Sequence, residues 1–325
     1  MTDRQLFRAT ACREVLEQRA RLLQQLRAFF DQRGFLEVQT PILSRDTVID
    51  RHIDLIQISL DDLPPDLPRR WFLQSSPEAA MKRLLACGLQ QIYQIGPVFR
   101  AGEFGRYHNP EFTMVEWYRV GDDFEAGVNF LEALTNQLLG TAGCQRLAFS
   151  KAFHNAVGLD VFSTTTRELA ERAIELDLTR DPDWSDDWDD WVNLLFSLAV
   201  QPSLGQERPV LITHFPASQA ALAQLAVDNP QVAERFELFY RGVELANGYH
   251  ELLDPHILRQ RNAQANADRR RDGKEVLPEA SFLLDAMDQG LPAATGCALG
   301  FDRLVMVACG AGSLAEVMPF PIDRA

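Results

Sequence analysis

Hydrophobic positions along the chain change period several times, and each change marks an element. From about Ala11 to Arg33, Leu16, Leu23, Leu26 and Phe30 keep to one stripe at helical spacing, which predicts an amphipathic helix. Gly34 is placed to end it in the left-handed conformation. FLEVQTP follows as a short strand closed by Pro41. Three prolines in DDLPPDLPRR predict a loop. In WFLQSSPEAAMKRLL, Ser76 reads as a helix cap and Pro77 as a first-turn residue. Glu78 is then an acid favourably placed at the helix N-terminus.

The densest pattern follows. QIYQIGPVFR is apolar enough for a strand, and EFTMVEWYR alternates. Side chains alternate faces along a strand, so Phe112, Met114, Glu116 and Tyr118 share one face and Glu111, Thr113, Val115 and Trp117 the other. An antiparallel hairpin is predicted, with one face offering a ring, a carboxylate and a phenol, and Arg100 arriving from the partner strand. That face suits a small ligand with a flat ring and a cation. The alternative is an ordinary hairpin with surface charges.

Helical patterns resume after Tyr118, and residues from about 150 to 205 read as a helical insertion. PVLITHF at 209–215 is a buried-strand pattern, and RFELFYRGVELANGYHEL at 235–252 reads as two strand pieces broken by glycines. The basic stretch 256–273, with Arg269, Arg270 and Arg271, reads as a helix with a solvated face; contact with an acidic partner is the alternative. TGCALGFDRLVMVACG closes the pattern with a helix-like apolar run after Arg303. Strands and helices mix without an internal repeat, and an α+β chain of 325 residues, 46% hydrophobic, has enough apolar surface for a substantial core.

No run of 18 apolar residues occurs, so no membrane span is expected. MTDRQLFRAT lacks the apolar core of a signal peptide, which leaves the cytoplasm as the expected compartment. Five cysteines are scattered without a C-x-x-C pair, as for incidental thiols in a reducing compartment. The net charge of -14 argues against a protein that coats nucleic acid, although a local basic patch suffices for one tRNA.

Four familiar motifs are excluded. DPDWSDDWDD at 181–190 carries six Asp but lacks the glycine and closing glutamate of an EF-hand loop, and reads as a solvated loop and helix cap. His250-Glu251 has its next histidine at His256, beyond Pro255, so it is not the zinc-protease H-E-x-x-H. Neither a G-x-x-x-x-G-K-[ST] loop nor a G-x-G-x-x-G turn is present, so ATP would have to be held by side chains on a sheet.

The F-R-x-x-E hairpin beginning at Phe99, followed far downstream by G-x-D-R opening a helix, resembles motifs 2 and 3 of class II aminoacyl-tRNA synthetases. HNPEFTM and ELANGYHEL narrow the resemblance to the lysyl-tRNA synthetase branch, and it covers nearly the whole chain. Within that branch it is most similar to short paralogues that attach β-lysine to a lysine of bacterial elongation factor P. The resemblance implies one class II catalytic domain over 1–325, with an antiparallel sheet flanked by helices. The helix and strand at 11–41 resemble motif 1, which implies a homodimer. About ten residues precede the first helix, so an N-terminal anticodon-binding barrel is expected to be absent. The acceptor is then a protein lysine, and tRNA is not expected as a partner.

Adenylation needs no activated nucleophile, because the substrate carboxylate is one already. It needs reactants held in line and charge stabilised on phosphorus oxygens, for which the arginine fork is suited. The resemblance implies Arg100 on the α-phosphate of ATP and Arg303 on the terminal phosphate. Phe112 would stack on adenine, with Ala101, Gly102, Glu103, Asn109, Leu245 and Gly300 completing the ATP site. Glu103 departs from the family's F-R-N-E, where the acid is two residues after the arginine; the backbone at Gly102 can fill that place. Glu244 and Glu251 are implied as Mg2+ ligands. They are seven residues apart, on opposite faces of an ideal strand, and Gly248 between them is expected to supply a bulge.

For (R)-β-lysine or lysine, the resemblance implies Ser76, Pro77, Glu78, Glu116, Tyr118, Asn247 and Glu251. The synthetases carry glycine at the position of Ala298, and the added methyl is expected to shift the pocket toward β-lysine. Other readings stay open on the sequence: a truncated synthetase that charges tRNA-like acceptors, asparagine-synthetase-like amide formation, or a non-catalytic regulatory paralogue. The retained Arg100, Glu244, Glu251 and Arg303 speak against the last, and HNPEFTM and NGYHEL against the second.

Overall fold

The computed structural model describes residues 7–325, so the reading of the first six residues as part of a leaderless start lies outside the described residues. The chain divides into two units, one made of the segment up to Asp123 together with Leu252–Ala325, the other of Phe124–Glu251.

In the first unit, α1 spans Arg13–Asp31, two residues shorter at each end than the pattern predicted. Its buried positions are Leu22, Leu26, Phe29 and Phe30, so the inward stripe is rotated slightly from the predicted one. Gly34 ends the run at φ 75°, a conformation that costs glycine little. The strand after it is only Leu36–Glu37 (β1). Short strands Leu43–Ser44 (β2), Gln57–Ser59 (β3) and Arg70–Leu73 (β4) form an antiparallel sheet in the order β2-β4-β3. Then come α2 (Glu78–Ala86), β5 (Gln91–Phe99) and β6 (Glu111–Val120).

The second unit begins with α3 (Phe124–Leu139), β7 (Gln145–Ala148) and α4 (Phe149–Val157). Helix α5 (Thr166–Glu175) starts with a full capping box between Thr165 and Glu168, and α6 (Trp188–Leu195) is capped by Asp187. The Asp-rich stretch thus supplies a helix cap, and no cluster of three metal-ligating side chains occurs among the described residues. Strands β8 (Val210–Pro216), β9 (Leu225–Ala226), β10 (Asn229–Tyr240) and β11 (Val243–His250) follow. Their order is β11-β10-β8-β7, with β9 on β10. Arg241 and Gly242, at φ 53° and 73°, make the two-residue turn between β10 and β11, the sign of φ such hairpins require. Phe149, stacked on Phe196 at 4.8 Å, and buried Trp191 anchor this unit's core.

The chain then returns to the first unit with α7 (Pro255–Arg271), α8 (Phe282–Gln289), β12 (Ala294–Gly300) and α9 (Phe301–Cys309). Here the sheet runs β1-β5-β6-β12; β1 is parallel to β5 and the other pairings are antiparallel. Phe30 of α1 stacks on Tyr93 of β5 at 4.3 Å and meets Trp117 of β6 at 5.6 Å, so α1 covers one face of the sheet. Helices on mostly antiparallel strands give the α+β class. Among the described residues, no helix is long and apolar enough to cross a membrane.

Candidate active site

The β5–β6 hairpin sets the first unit's site. Its register pairs Gln94 with Glu116 and Val98 with Phe112, and on the other side of β6 Glu116 faces Ala298 of β12. Glu116 is buried. Ser76 donates its hydroxyl proton to one carboxylate oxygen at 2.8 Å, and Tyr118 donates to the other at 2.5 Å. Ser76 also accepts the backbone N–H of Glu78 at 3.0 Å. It therefore braces the first N–H of α2 and orients Glu116 at once, although the cap expected at Ser76 falls one residue later. Pro77 occupies the cap position itself, and Glu78 opens the helix.

Glu78 is buried beside Lys82, one turn on in α2, whose ammonium donates to it at 2.6 Å. Burial, and then the charge of Glu78, push the Glu116 carboxyl up to about 7; the hydrogen bonds from Tyr118 and Ser76 and the charge of Lys82 pull the other way. Lys82 carries no mark in the sequence, since a lysine in a helix usually reads as surface. The available signal is its i,i+4 spacing from Glu78 within an otherwise apolar run of Met81, Leu84 and Leu85.

Arg100 follows β5. Its guanidinium lies over the Phe112 ring, 5.1 Å from the centroid, donates to the Ser75 carbonyl at 3.4 Å, and stands 3.5 Å from Glu103. The shifted Glu103 is thus a partner of Arg100. Ala101 donates its N–H to the Asp54 carbonyl at 2.8 Å, and Gly102 turns the chain at φ 76°. Asp54 is in turn held by buried Arg269 of α7. The basic stretch therefore points one of its arginines inward, at the loop beneath Arg100. Asn109 uses both ends of its amide within the protein: it donates to the Glu111 carbonyl at 2.6 Å and accepts from Ile322 N–H at 2.9 Å.

At the end of β12, Gly300 lies against the Arg303 side chain; a Cβ there would meet Arg303 atoms at 3.8–3.9 Å. Arg303 donates to the Tyr107 carbonyl at 3.1 Å, and its other nitrogen is 2.8 Å from His108 Nε2. Phe112, Glu116, Tyr118 and Ala298 are thus assembled on the neighbouring strands β6 and β12, with Arg303 in the first turn of α9 and Arg100, Ser76 and Glu78 on the segments that flank β5.

In the second unit, the expected bulge is present but not at Gly248. Phe239 pairs with Glu244 while Leu238 pairs with Ala246, so the extra residue is Leu245, whose side chain is buried. A bulge of this kind needs no glycine. The extra residue corrects the parity of the strand, so Glu244 shares a face with Asn247, Tyr249 and Glu251. Asn247 accepts from Arg235 Nε at 3.3 Å and donates to the Tyr249 hydroxyl at 2.9 Å. Glu251 is buried. Arg235, which also pairs with Glu237, holds Asn247 in place and was not singled out by the sequence.

A family model described as tRNA synthetases class II (D, K and N) matches residues 4–324. Among curated proteins, the chain is 42% identical over 325 residues to the elongation factor P–(R)-β-lysine ligase of Enterobacter sp. (strain 638), covering all of both chains. It is equally similar, over the same full lengths, to proteins of that name from Salmonella paratyphi B (strain ATCC BAA-1250 / SPB7) and Salmonella schwarzengrund (strain CVM19633). With the motif-bearing hairpin, the β12–α9 corner and a match over nearly every residue, the chain belongs to the class II tRNA synthetases of the D, K and N group.

Proposed function

We propose that the chain is an AMP-forming ligase that activates (R)-β-lysine with ATP and transfers it to the ε-amine of a lysine of elongation factor P. The observation that carries this reading is the buried pair of Glu78, opening α2, and Glu116 of β6, joined through Ser76, in the unit that also carries Arg100 after β5 and Arg303 in α9. Two carboxylates in one recess fit a substrate with amines to spare, and two arginines fit a polyphosphate. Full-length similarity to ligases of that name supports the same substrate and acceptor.

In the first step a carboxylate oxygen of the amino acid attacks the α-phosphorus, and the bond to pyrophosphate breaks. Arg100 neutralises charge gathering on the α-phosphate oxygens, and Arg303 holds the terminal phosphate. In the first unit, Phe112 offers its ring to adenine, with Ala101, Gly102, Glu103, Asn109 and Gly300 as its surroundings. Ser76, Pro77, Glu78, Glu116 and Tyr118 hold the substrate's amines, and Ala298 sets the room beside them. In the second unit, the resemblance assigns Leu245 to ATP and Asn247 to the substrate. In the second step the acceptor amine attacks the carbonyl of the mixed anhydride, AMP leaves, and the amine's extra proton passes to solvent.

Glu244 and Glu251 share a strand face and fit magnesium, which takes one or two carboxylates and completes its shell with phosphate oxygens and water. When bound, magnesium supplies positive charge to the departing pyrophosphate. Glu251 also serves as a candidate acceptor for a substrate amine.

Pyrophosphate exchange dependent on (R)-β-lysine, followed by transfer of label to elongation factor P, tests the proposal. Efficient charging of tRNA with no transfer to the protein would instead make the chain a tRNA-charging enzyme. No amino-acid-dependent exchange at all would leave only the non-catalytic reading.

A further inference from the structure

Lys82 is 2% exposed, an unusual place for a lysine. Its ammonium donates to Glu78 at 2.6 Å and lies 5.9 Å from the centre of the Tyr118 ring, so it sits beneath the same recess that Glu116 lines. The titratable and charged groups facing Glu116 are Glu78 and Lys82 from α2 and Tyr118 from its own strand. Its cross-strand neighbours are Gln94 of β5 and Ala298 of β12, and neither titrates. Gln94 is itself held by the Thr40 N–H at 2.8 Å.

Charge counting in this recess decides what a substrate must do. Two carboxylates and one ammonium leave one negative charge in excess if both acids are ionised. A buried, uncompensated charge is costly, and the group usually takes up a proton instead. The carboxyl able to do so is Glu116, because Glu78 has the ammonium at hydrogen-bond distance. A substrate ammonium brings the missing positive charge and removes the reason for the proton.

Resting on the reading of this recess as the receptor for a diamine amino acid, we propose that Lys82 is a positioning residue that neutralises Glu78 from within the protein. Glu116 is thereby left as the carboxyl that surrenders its proton when the substrate ammonium arrives. The balance is simple. Glu116 goes from carboxylic acid to carboxylate, its proton passes to solvent, the substrate amine keeps its three protons, and nothing is oxidised or reduced. The tendency of Glu116 to titrate near neutral pH agrees with this geometry.

Two consequences separate this role from ordinary packing. Below pH about 7, substrate affinity falls by about tenfold per pH unit, because only the ionised fraction of Glu116 receives the ammonium. Above that pH affinity levels off. Lys82→Met keeps most of the volume but removes the cation, so both acids then depend on the substrate's charge. Its KM for (R)-β-lysine at pH 7 should rise by about tenfold, with kcat changed by less than about threefold. The midpoint of its KM–pH profile should move up by about one unit or more. Lys82→Arg, which restores a charge, should bring the midpoint back toward the parent.

The measurement that does not depend on a variant folding is titration calorimetry of the unaltered protein with (R)-β-lysine. It is run in two buffers of different ionisation heat at pH 6, 7 and 8.5. The expected release is about one proton at pH 6, about half at pH 7 and little at pH 8.5. Clear binding with heats that ignore the buffer overturns the proposal and leaves the functional reading standing. A folded Lys82→Met protein with the parent's KM–pH midpoint likewise removes Lys82 from the role. Absence of both binding and pyrophosphate exchange with either lysine isomer defeats the functional reading, and this proposal with it.

Discussion

Arg19 Nη1 lies 2.5 Å from Oδ1 of Asp302, so a helix near the N-terminus grips the first turn of a helix near the C-terminus. The same guanidinium donates to the Thr113 hydroxyl at 2.8 Å, and the other oxygen of Asp302 accepts the Thr113 N–H at 2.6 Å. Three segments distant in sequence are pinned at one point. Thr113 follows Phe112 and Asp302 precedes Arg303, so the pin stands one residue from the ring proposed to stack on adenine and one from the arginine proposed to hold the terminal phosphate. Breaking a buried pair leaves the buried acid uncompensated, which costs about 3–5 kcal/mol. Arg19→Met should fall toward the lower end of that range in urea unfolding, because Arg19 is partly exposed. It should also depress pyrophosphate exchange. Unchanged stability with unchanged exchange would show that the pin holds nothing.

Arg100→Ala should reduce pyrophosphate exchange by about 10²–10³-fold, the loss typical of removing one charge-stabilising donor. Arg100→Lys should recover little, since a point charge cannot reproduce the planar fork that now lies over Phe112. Near-normal exchange in the alanine variant would show that another group carries the α-phosphate.

Ala298 stands directly across from Glu116 in the β12–β6 pairing, so its methyl lies beside the carboxyl proposed to receive a substrate amine. A one-carbon mismatch is worth about 1–3 kcal/mol. Ala298→Gly should therefore improve activation of α-lysine relative to β-lysine by about tenfold or more. Exchange measured with each isomer on both proteins gives the ratio, and an unaltered ratio removes Ala298 as the selector.

Gly205 sits at φ 67°, and a Cβ there would come within 2.6 Å of the Phe239 carbonyl oxygen and 2.8 Å of the Tyr240 Cα. Backbone cannot swing aside as a side chain can. Gly205→Ala should cost about 3 kcal/mol or more, through overpacking added to backbone strain. Thermal unfolding with a parent-like midpoint would contradict the close approach.

Leu36 and Ile42, which follow α1 in the chain, are 53% and 41% exposed, and large apolar residues left open in a motif-1-like segment fit a two-fold homodimer. Light scattering at micromolar concentration should give twice 36.7 kDa; a species of 36.7 kDa alone would count against the dimer.

Much of the fold was legible because the relevant signals are local. Alternation along EFTMVEWYR set the faces of β6, and Ser76-Pro77-Glu78 marked the start of α2. What escaped depends on pairing between distant segments. Arg19 looks like a surface residue until α1 is docked, because its partner Asp302 is far along the chain; Lys82 has its partner Glu78 within α2, but its burial shows only once α2 is packed. The bulge was expected at Gly248 because glycine is the usual visible marker, whereas the strand spends a leucine on it instead. The internal bonds of Asn109, whose amide links Glu111 to Ile322 near the C-terminus, were likewise not visible in its motif.

The extra residue at Leu245 works as a phase shift in a two-letter alternation. Upstream and downstream of it, the strand is read in opposite frames, and only the shift brings Glu244 into step with Asn247 and Glu251. Length is therefore a more sensitive variable here than chemistry. Replacing Leu245 by another apolar residue leaves the frame intact. Deleting it restores a regular ladder and rotates Glu244 away from Glu251, with no change to either glutamate.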